Sequence, residues 1–149
     1  MQPGTPPHIE TPGRLYMVRE LGDIFEEAVD RISNSGVVGL RMEGAMLARE
    51  DVLCWVNICN TRNVFMFDII TGEQAFKFGL RSVLQDSELL KVVHDCRQVN
   101  NCLNQQWSVT LSNVWNTMAG DIVFSNNGFV PQYARSLAKL LKGYLAGYS

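Results

Sequence analysis

Between Cys96 and Gly120 the sequence contains no aspartate or glutamate, and after Asp121 it contains none through Ser149. A centre built on several carboxylates can therefore draw only Asp121 from the last third of the chain. Cysteine is sparse too. Cys54, Cys59, Cys96 and Cys102 form no Cys-x-x-Cys pair, and histidine is limited to His8 and His94. A structural zinc site needs more ligands at tighter spacing than this set supplies. The thiols are expected to be buried and reduced, as in a cytosolic, cytoplasmic protein. No apolar run approaches the roughly 20 residues that span a bilayer. The opening MQPGTPPHIETPGR has no apolar stretch after a basic start, so no secretory signal is visible. Surplus positive charge is also missing. Thirteen Lys and Arg stand against fifteen Asp and Glu, for a net charge of −2, which argues against a strongly basic nucleic-acid-binding module.

What is present is ordinary in bulk and uneven in distribution. The 149 residues are 46% hydrophobic and 19% charged, values of one globular domain with a sizeable core. Residues 1–95 carry a net charge of −5 and residues 96–149 a net +3, which points to an electropositive side on a mildly acidic protein. Four of the five prolines lie in the first twelve residues, so 1–13 reads as a flexible tail and 14–149 as the domain.

Periodicity places the elements. RLYMV at 14–18 is a short candidate strand. Leu21, Ile24, Phe25, Ala28, Val29 and Ile32 recur at helical steps, and Gly36 in SNSG suits a left-handed stop. Strand-like runs follow at 37–43, 52–59 and 64–70, joined by short links that favour antiparallel pairing. Residues 71–90 read as a helix and turn with Phe76, Leu80, Val83 and Leu84 inward. A buried strand at 91–95 precedes a helix at 97–107 with Val99, Cys102 and Leu103 inward. A strand at 111–117 leads into another helix, and 132–142 forms the last. Asp68 suits a turn or helix cap. Trp107 and Trp115 are expected in the core. Three antiparallel strands followed by strand–helix alternation is the order of a ribonuclease H-like α/β fold, with three α/β/α layers and a mixed sheet of about five or six strands.

These segments resemble the RNase D-like, DEDD-type 3′-5′ exonuclease superfamily from about residue 35 to 145. VVGLRMEG stands where active members carry V-x-G-x-D-x-E. LLKVVHDCRQVNNCLNQQW is similar to the family's K-V-x-H-D-C-R segment and its helix, and LSNVWNTMAGDI to its L-x-N-V-x-D-T stretch. The H-D-C-R run with GFVPQYARSLAKLL resembles the branch of exonuclease 3′-5′ domain-containing proteins that act in piRNA biogenesis. Active members hold two divalent cations on four carboxylates. The resemblance places Arg41 and Glu43 at the first pair and Val99 at the next aspartate. Arginine stays protonated in proteins, so Arg41 would put positive charge where a dication should bind.

Arg41 and Glu43, two apart on one strand, share a face. The pair reads best as an internal ion pair in place of a metal site. Arg41 facing solvent, a partner or a nucleic-acid phosphate stays open as well. No bound metal or other cofactor is expected. His94 and Asp95, adjacent on a strand, should point to opposite faces and so not cooperate, and Cys96 lacks a third group to activate it. Arg135, Lys139 and Lys142 lie at i, i+4 and i+7 as one stripe. It is either a solvated face or a phosphate-tracking one, which Arg97 could join. The apolar set Phe129, Val130, Tyr133, Leu137, Leu140, Leu141 and Tyr144 suggests a partner surface or burial on the sheet.

The leading expectation is a catalytically inactive exonuclease-like domain that binds RNA as an adaptor. The resemblance implies Tudor-domain partners in a cytoplasmic piRNA-processing complex, and a homodimer. The alternatives are a divergent active exoribonuclease using Mg²⁺ or Mn²⁺, and a protein-interaction scaffold without RNA affinity.

Overall fold

Val38, Leu40, Val56, Ile58, Phe65 and Phe67 are all buried, and they alternate along three neighbouring runs with polar or half-exposed residues. Alternation with period two puts every second side chain on one face of a sheet, and this pattern builds the centre of the molecule. The computed structural model describes residues 13–47, 50–125 and 134–146. Residues 1–12 of the expected tail, with His8, lie outside the described residues. So do Phe129, Val130, Tyr133, the first two residues of the expected last helix and the side chain of Phe76.

The chain order is β1 (Arg14–Val18), α1 (Asp23–Ser33), β2 (Val37–Leu47), β3 (Glu50–Cys59), β4 (Asn63–Asp68), α2 (Ile69–Gln85), β5 (Leu90–Val93), α3 (Cys96–Trp107), β6 (Val114–Asn116), α4 (Thr117–Ser125) and α5 (Leu137–Leu145). The strands form one six-stranded mixed sheet in the order β1-β4-β3-β2-β5-β6. β2, β3 and β4 are the expected antiparallel meander. β5 runs parallel to β2 and β6 parallel to β5, the geometry that strand–helix–strand connections impose. β1 adds a parallel edge to β4.

α1 and α2 pack on each other, α1 also against β1 and α2 against β3 and β4. Phe25, Ala28 and Ile32 are the buried stripe of α1. Leu21 and Ile24, expected inward, are 55% and 58% exposed. Leu21 precedes the helix, and Ile24 stands one residue, about 100°, off the stripe. Gly79 of α2 lets the two helices meet. A Cβ there would lie 2.2 Å from Phe25 Cζ, and Phe25 is wedged edge-on against Phe67 with ring centroids 5.9 Å apart. Gly36 adopts φ +72°, the left-handed conformation expected after α1.

Several element ends differ from the periodic reading for local reasons. Asp68 does cap α2, accepting from Thr71 N at 3.2 Å, so the helix starts at Ile69 and the strand before it ends sooner. Asp86 turns extended, and its side chain accepts from Glu88 N at 2.8 Å, which stops α2 well short of residue 90. Ser136 caps α5, so that helix begins at Leu137. Trp107 is buried as expected, but Trp115 is 48% exposed. It alternates with Val114 and Asn116 on the short edge strand β6 and takes the open face. The four cysteines are free, but they are not buried as expected: Cys59 is exposed and the others are half-buried, with Cys96 and Cys102 packed against the core.

Lys91 is an unexpected core residue at 1% exposure. Its register partner Val38 faces the core, so its side chain does too. The ammonium donates to the carbonyls of Asp86 and, at 2.8 Å, Leu89, fastening the turn between α2 and β5. Burial pulls its pKa down, and the Asp86 charge partly offsets this.

Candidate functional site

An open cleft of about 1520 Å³ lies along β2 and β3, the turn after β5, and α3. Arg41 and Glu43 of β2 enter it from the face opposite Val38 and Leu40. Asn57 sits beside Arg41 on β3, its direct register partner. Arg41 Nε is 3.2 Å from Glu43 Oε1, and Asn57 Nδ2 donates to the same oxygen at 3.4 Å. The expected ion pair is therefore made, but it is not internal. The two side chains are 68% and 48% exposed, since the cleft is open to water over them. An exposed pair of this kind is worth at most about 1 kcal/mol. Asn57 Oδ1 is buried without a hydrogen-bond partner.

β5 stops at Val93, and the next two residues do not alternate as a strand would. Asp95 takes φ +56°, and both His94 and Asp95 line the cleft, contrary to the opposite-face expectation. His94 Nδ1 is 2.9 Å from Thr117 Oγ1. Thr117 Oγ1 also donates to Val93 O at 3.4 Å, so the ring nitrogen serves as the donor to Thr117. Asn116 Oδ1 accepts from Asp95 N at 3.2 Å and Met118 N at 3.1 Å, tying the start of α3 to the start of α4. Arg97, 79% exposed, stands 3.6 Å from Asp95 Oδ1. Val99, one turn into α3, is half-buried against the core and lines the same cleft. The fold thus gathers Arg41, Glu43 and Val99 in one place.

The three cations near the C-terminus are not one helical stripe. Arg135 precedes α5 and turns back to Asp121 of α4, donating from Nε to Oδ2 at 2.7 Å and from its terminal nitrogen to Oδ1. Tyr144 OH donates to Oδ1 at 3.2 Å. The Asp121 side chain is only 4% exposed. The Arg135 hydrogen bonds hold its carboxyl below the usual carboxylate range, against a smaller upward push from burial, and Asp121 in turn raises the Arg135 pKa. Lys139 and Lys142 are exposed on α5 and form no ion pair among the described residues. α5 borders the cleft through Leu137.

Two divalent cations need several converging oxygen donors. Among the described residues, no three His, Cys, Asp or Glu side chains converge to hold a metal ion. The cleft offers Glu43, paired with Arg41, and Asp95, facing Arg97. This set does not fit the four-carboxylate arrangement. Periodicity could not reveal Asn57 or the Asp121 clamp, which depend on strand register and on the path of the chain between helices. The amides of VNNCLNQQ were visible as a composition signal.

A mixed sheet with this strand order, and a cleft beside β2 and α3, define the class as a ribonuclease H-like nuclease fold. A 3′-5′ exonuclease family model matches residues 20–149. The chain is 34% identical over 125 residues to piRNA biogenesis protein EXD1 of Mus musculus, covering 81% of this chain and 22% of that protein. It is also 34% identical over 133 residues to piRNA biogenesis protein EXD1 of Danio rerio, covering 87% and 35%. Among solved structures, Trypanosoma brucei RNase D in complex with GMP superimposes with a TM-score of 0.79 at 22% identity, covering 90% of this chain and 42% of that one. The chain belongs to the 3′-5′ exonuclease family. It spans between about a fifth and about a third of the length of these two curated relatives. No described helix is long and apolar enough to cross a membrane.

Proposed function

We propose that residues 14–149 form a catalytically inactive 3′-5′ exonuclease-like domain that binds single-stranded RNA as an adaptor in a cytoplasmic piRNA-processing complex, with 1–13 as a flexible tail. The carrying observation is the cleft itself. Glu43 is paired with Arg41, and an apolar Val99 stands where the family resemblance places a metal-binding aspartate. The piRNA assignment draws on relatives named for piRNA biogenesis. Tudor-domain partners and a homodimer belong to the same reading by family resemblance. RNA contact is assigned to Lys139 and Lys142, exposed on the helix that borders the cleft, and to Arg97 at the start of α3. Arg135 supports α5 rather than offering a free charge.

The test uses labelled single-stranded RNA with and without Mn²⁺. Intact RNA, with affinity that falls as salt rises, supports the reading. Reversing Lys139 and Lys142 to Glu should weaken that binding. Family membership and the open cleft favour one second reading, a divergent active exoribonuclease. Mn²⁺-dependent degradation that disappears in Glu43→Ala would establish it. No binding at low salt would leave a protein scaffold.

A further inference from the structure

β1 forms one border of the sheet, and among the described residues it pairs with β4 alone. Arg14 N donates to Arg62 O at 3.2 Å, one residue before its register partner Asn63, as a parallel ladder requires. Backbone groups alternate in direction along a strand. Arg14, Tyr16 and Val18 therefore bond toward β4, while the N–H and C=O of Leu15 and Met17 point away from it. Those outward groups have no partner among the described residues. The Leu15 and Met17 side chains are 59% and 45% exposed and lie beside Val64 and Met66, their register partners on the same face. The outer edge thus offers a short unpaired ladder with an apolar strip along one face.

The opposite face of β1 is cationic. Tyr16 stacks on Phe65, and the guanidinium carbons of Arg14 and Arg31 lie 5.2 and 5.8 Å from the Tyr16 ring centroid. Arg31 is paired with Glu27 at 2.6 Å, while Arg14 forms no ion pair among the described residues. The other acids of α1, Asp23, Glu26 and Asp30, form no ion pair with either arginine among the described residues. Net positive charge therefore remains over Tyr16, and it decides what fits the edge. Two β1 strands paired antiparallel through both Leu15 and Met17 would set Tyr16 opposite its own counterpart and bring like charges together across the axis. An extended acidic segment avoids that. Its residues opposite Leu15 and Met17 continue the apolar strip, and the residue between them, on the other face, meets Arg14. We propose that the outer edge of β1 takes up a strand from a partner protein in which apolar and acidic residues alternate. No β1 residue lines the cleft, so docking here goes beyond the RNA-binding reading and is independent of it.

The probes are fluorescein-labelled peptides titrated against the full chain by fluorescence anisotropy. One has a Val-Glu-Val-Glu-Val core, one has Lys in place of each Glu, and one is the Glu peptide N-methylated at its central residues. The Glu peptide should bind at least about tenfold more tightly than the Lys peptide. N-methylation keeps the side chains but removes backbone donors, and should abolish binding. Met17→Pro should abolish it too. Proline is tolerated on an edge strand where its nitrogen faces solvent, so β1 should stay paired with β4 and the melting temperature should hold. Should Met17→Pro unfold the chain, the N-methylated peptide decides alone. Arg14→Glu should erase the preference for the Glu peptide. Equal affinity for the Glu and Lys peptides, or binding that survives N-methylation or a folded Met17→Pro, overturns the proposal. So does failure of the Glu peptide to bind. A dimer, measured by light scattering, that Met17→Pro dissolves would give the edge to a second copy of the chain and overturn it as well.

Discussion

Arg135 Nε donates to Asp121 Oδ2 at 2.7 Å, while Tyr144 OH donates to the other oxygen at 3.2 Å. One carboxylate of α4 therefore holds a residue just before α5 and a residue near its end. Arg135→Ala should remove the cation that pairs a nearly buried carboxylate and lower the melting temperature. Asp121→Asn in that background should recover part of the loss, because it removes the nearly buried charge. Equal melting curves for Arg135→Ala and the parent would refute the clamp.

The same contact sets an acid limit. Arg135 lowers the Asp121 pKa in the folded state, so the folded carboxyl binds its proton less readily than the unfolded one. Stability from this group is complete above the ordinary carboxylate value of about 3.9 and is lost as pH falls through the lower folded value. Melting temperatures measured from neutrality into the acid range should fall below about pH 4, and Asp121→Asn should flatten that fall.

Lys91 fastens the turn between α2 and β5 through two carbonyls. Lys91→Met keeps the aliphatic volume and leaves both oxygens unsatisfied, which should cost about 1–3 kcal/mol in urea unfolding. Burial lowers the Lys91 pKa, so its folded form binds fewer protons than the unfolded chain. The parent should therefore gain stability relative to Lys91→Met as pH rises toward the ordinary lysine value of about 10.4.

Arg41 and Val99 line one cleft with Glu43. Arg41→Asp combined with Val99→Asp would add two carboxylates to a cleft that already holds Glu43 and Asp95, and would remove the cation paired with Glu43. The double variant should melt lower in EDTA, and Mg²⁺ should raise its melting temperature while leaving the parent unchanged. Absence of any Mg²⁺ effect on the double variant would show that these positions do not map a cation site.

Much of the fold was legible because core residues repeat at the period of their element. Leu40, Val56 and Phe65 alternate with half-buried or exposed neighbours, and Phe25, Ala28 and Ile32 step along one helical stripe. The Arg41–Glu43 contact was legible for the same reason, since a strand puts i and i+2 on one face. Its exposure was not, because that depends on what covers the sheet. Trp115 shows the limit from the other side. Its size suggested the core, but an edge strand of three residues put it on the open face.

The sequence by itself determined the strand and helix faces, the cap at Asp68 and the shortage of carboxylates in the last third of the chain. Each follows from residue identity or from spacing within a single element. Only the tertiary structure decided that His94 and Asp95 share a cleft, that Asn57 meets Glu43, and that Arg135 answers Asp121 rather than solvent. Those pairings join separate elements, and their geometry is set by strand register and by the turns that return the chain. Local periodicity carries no information about either.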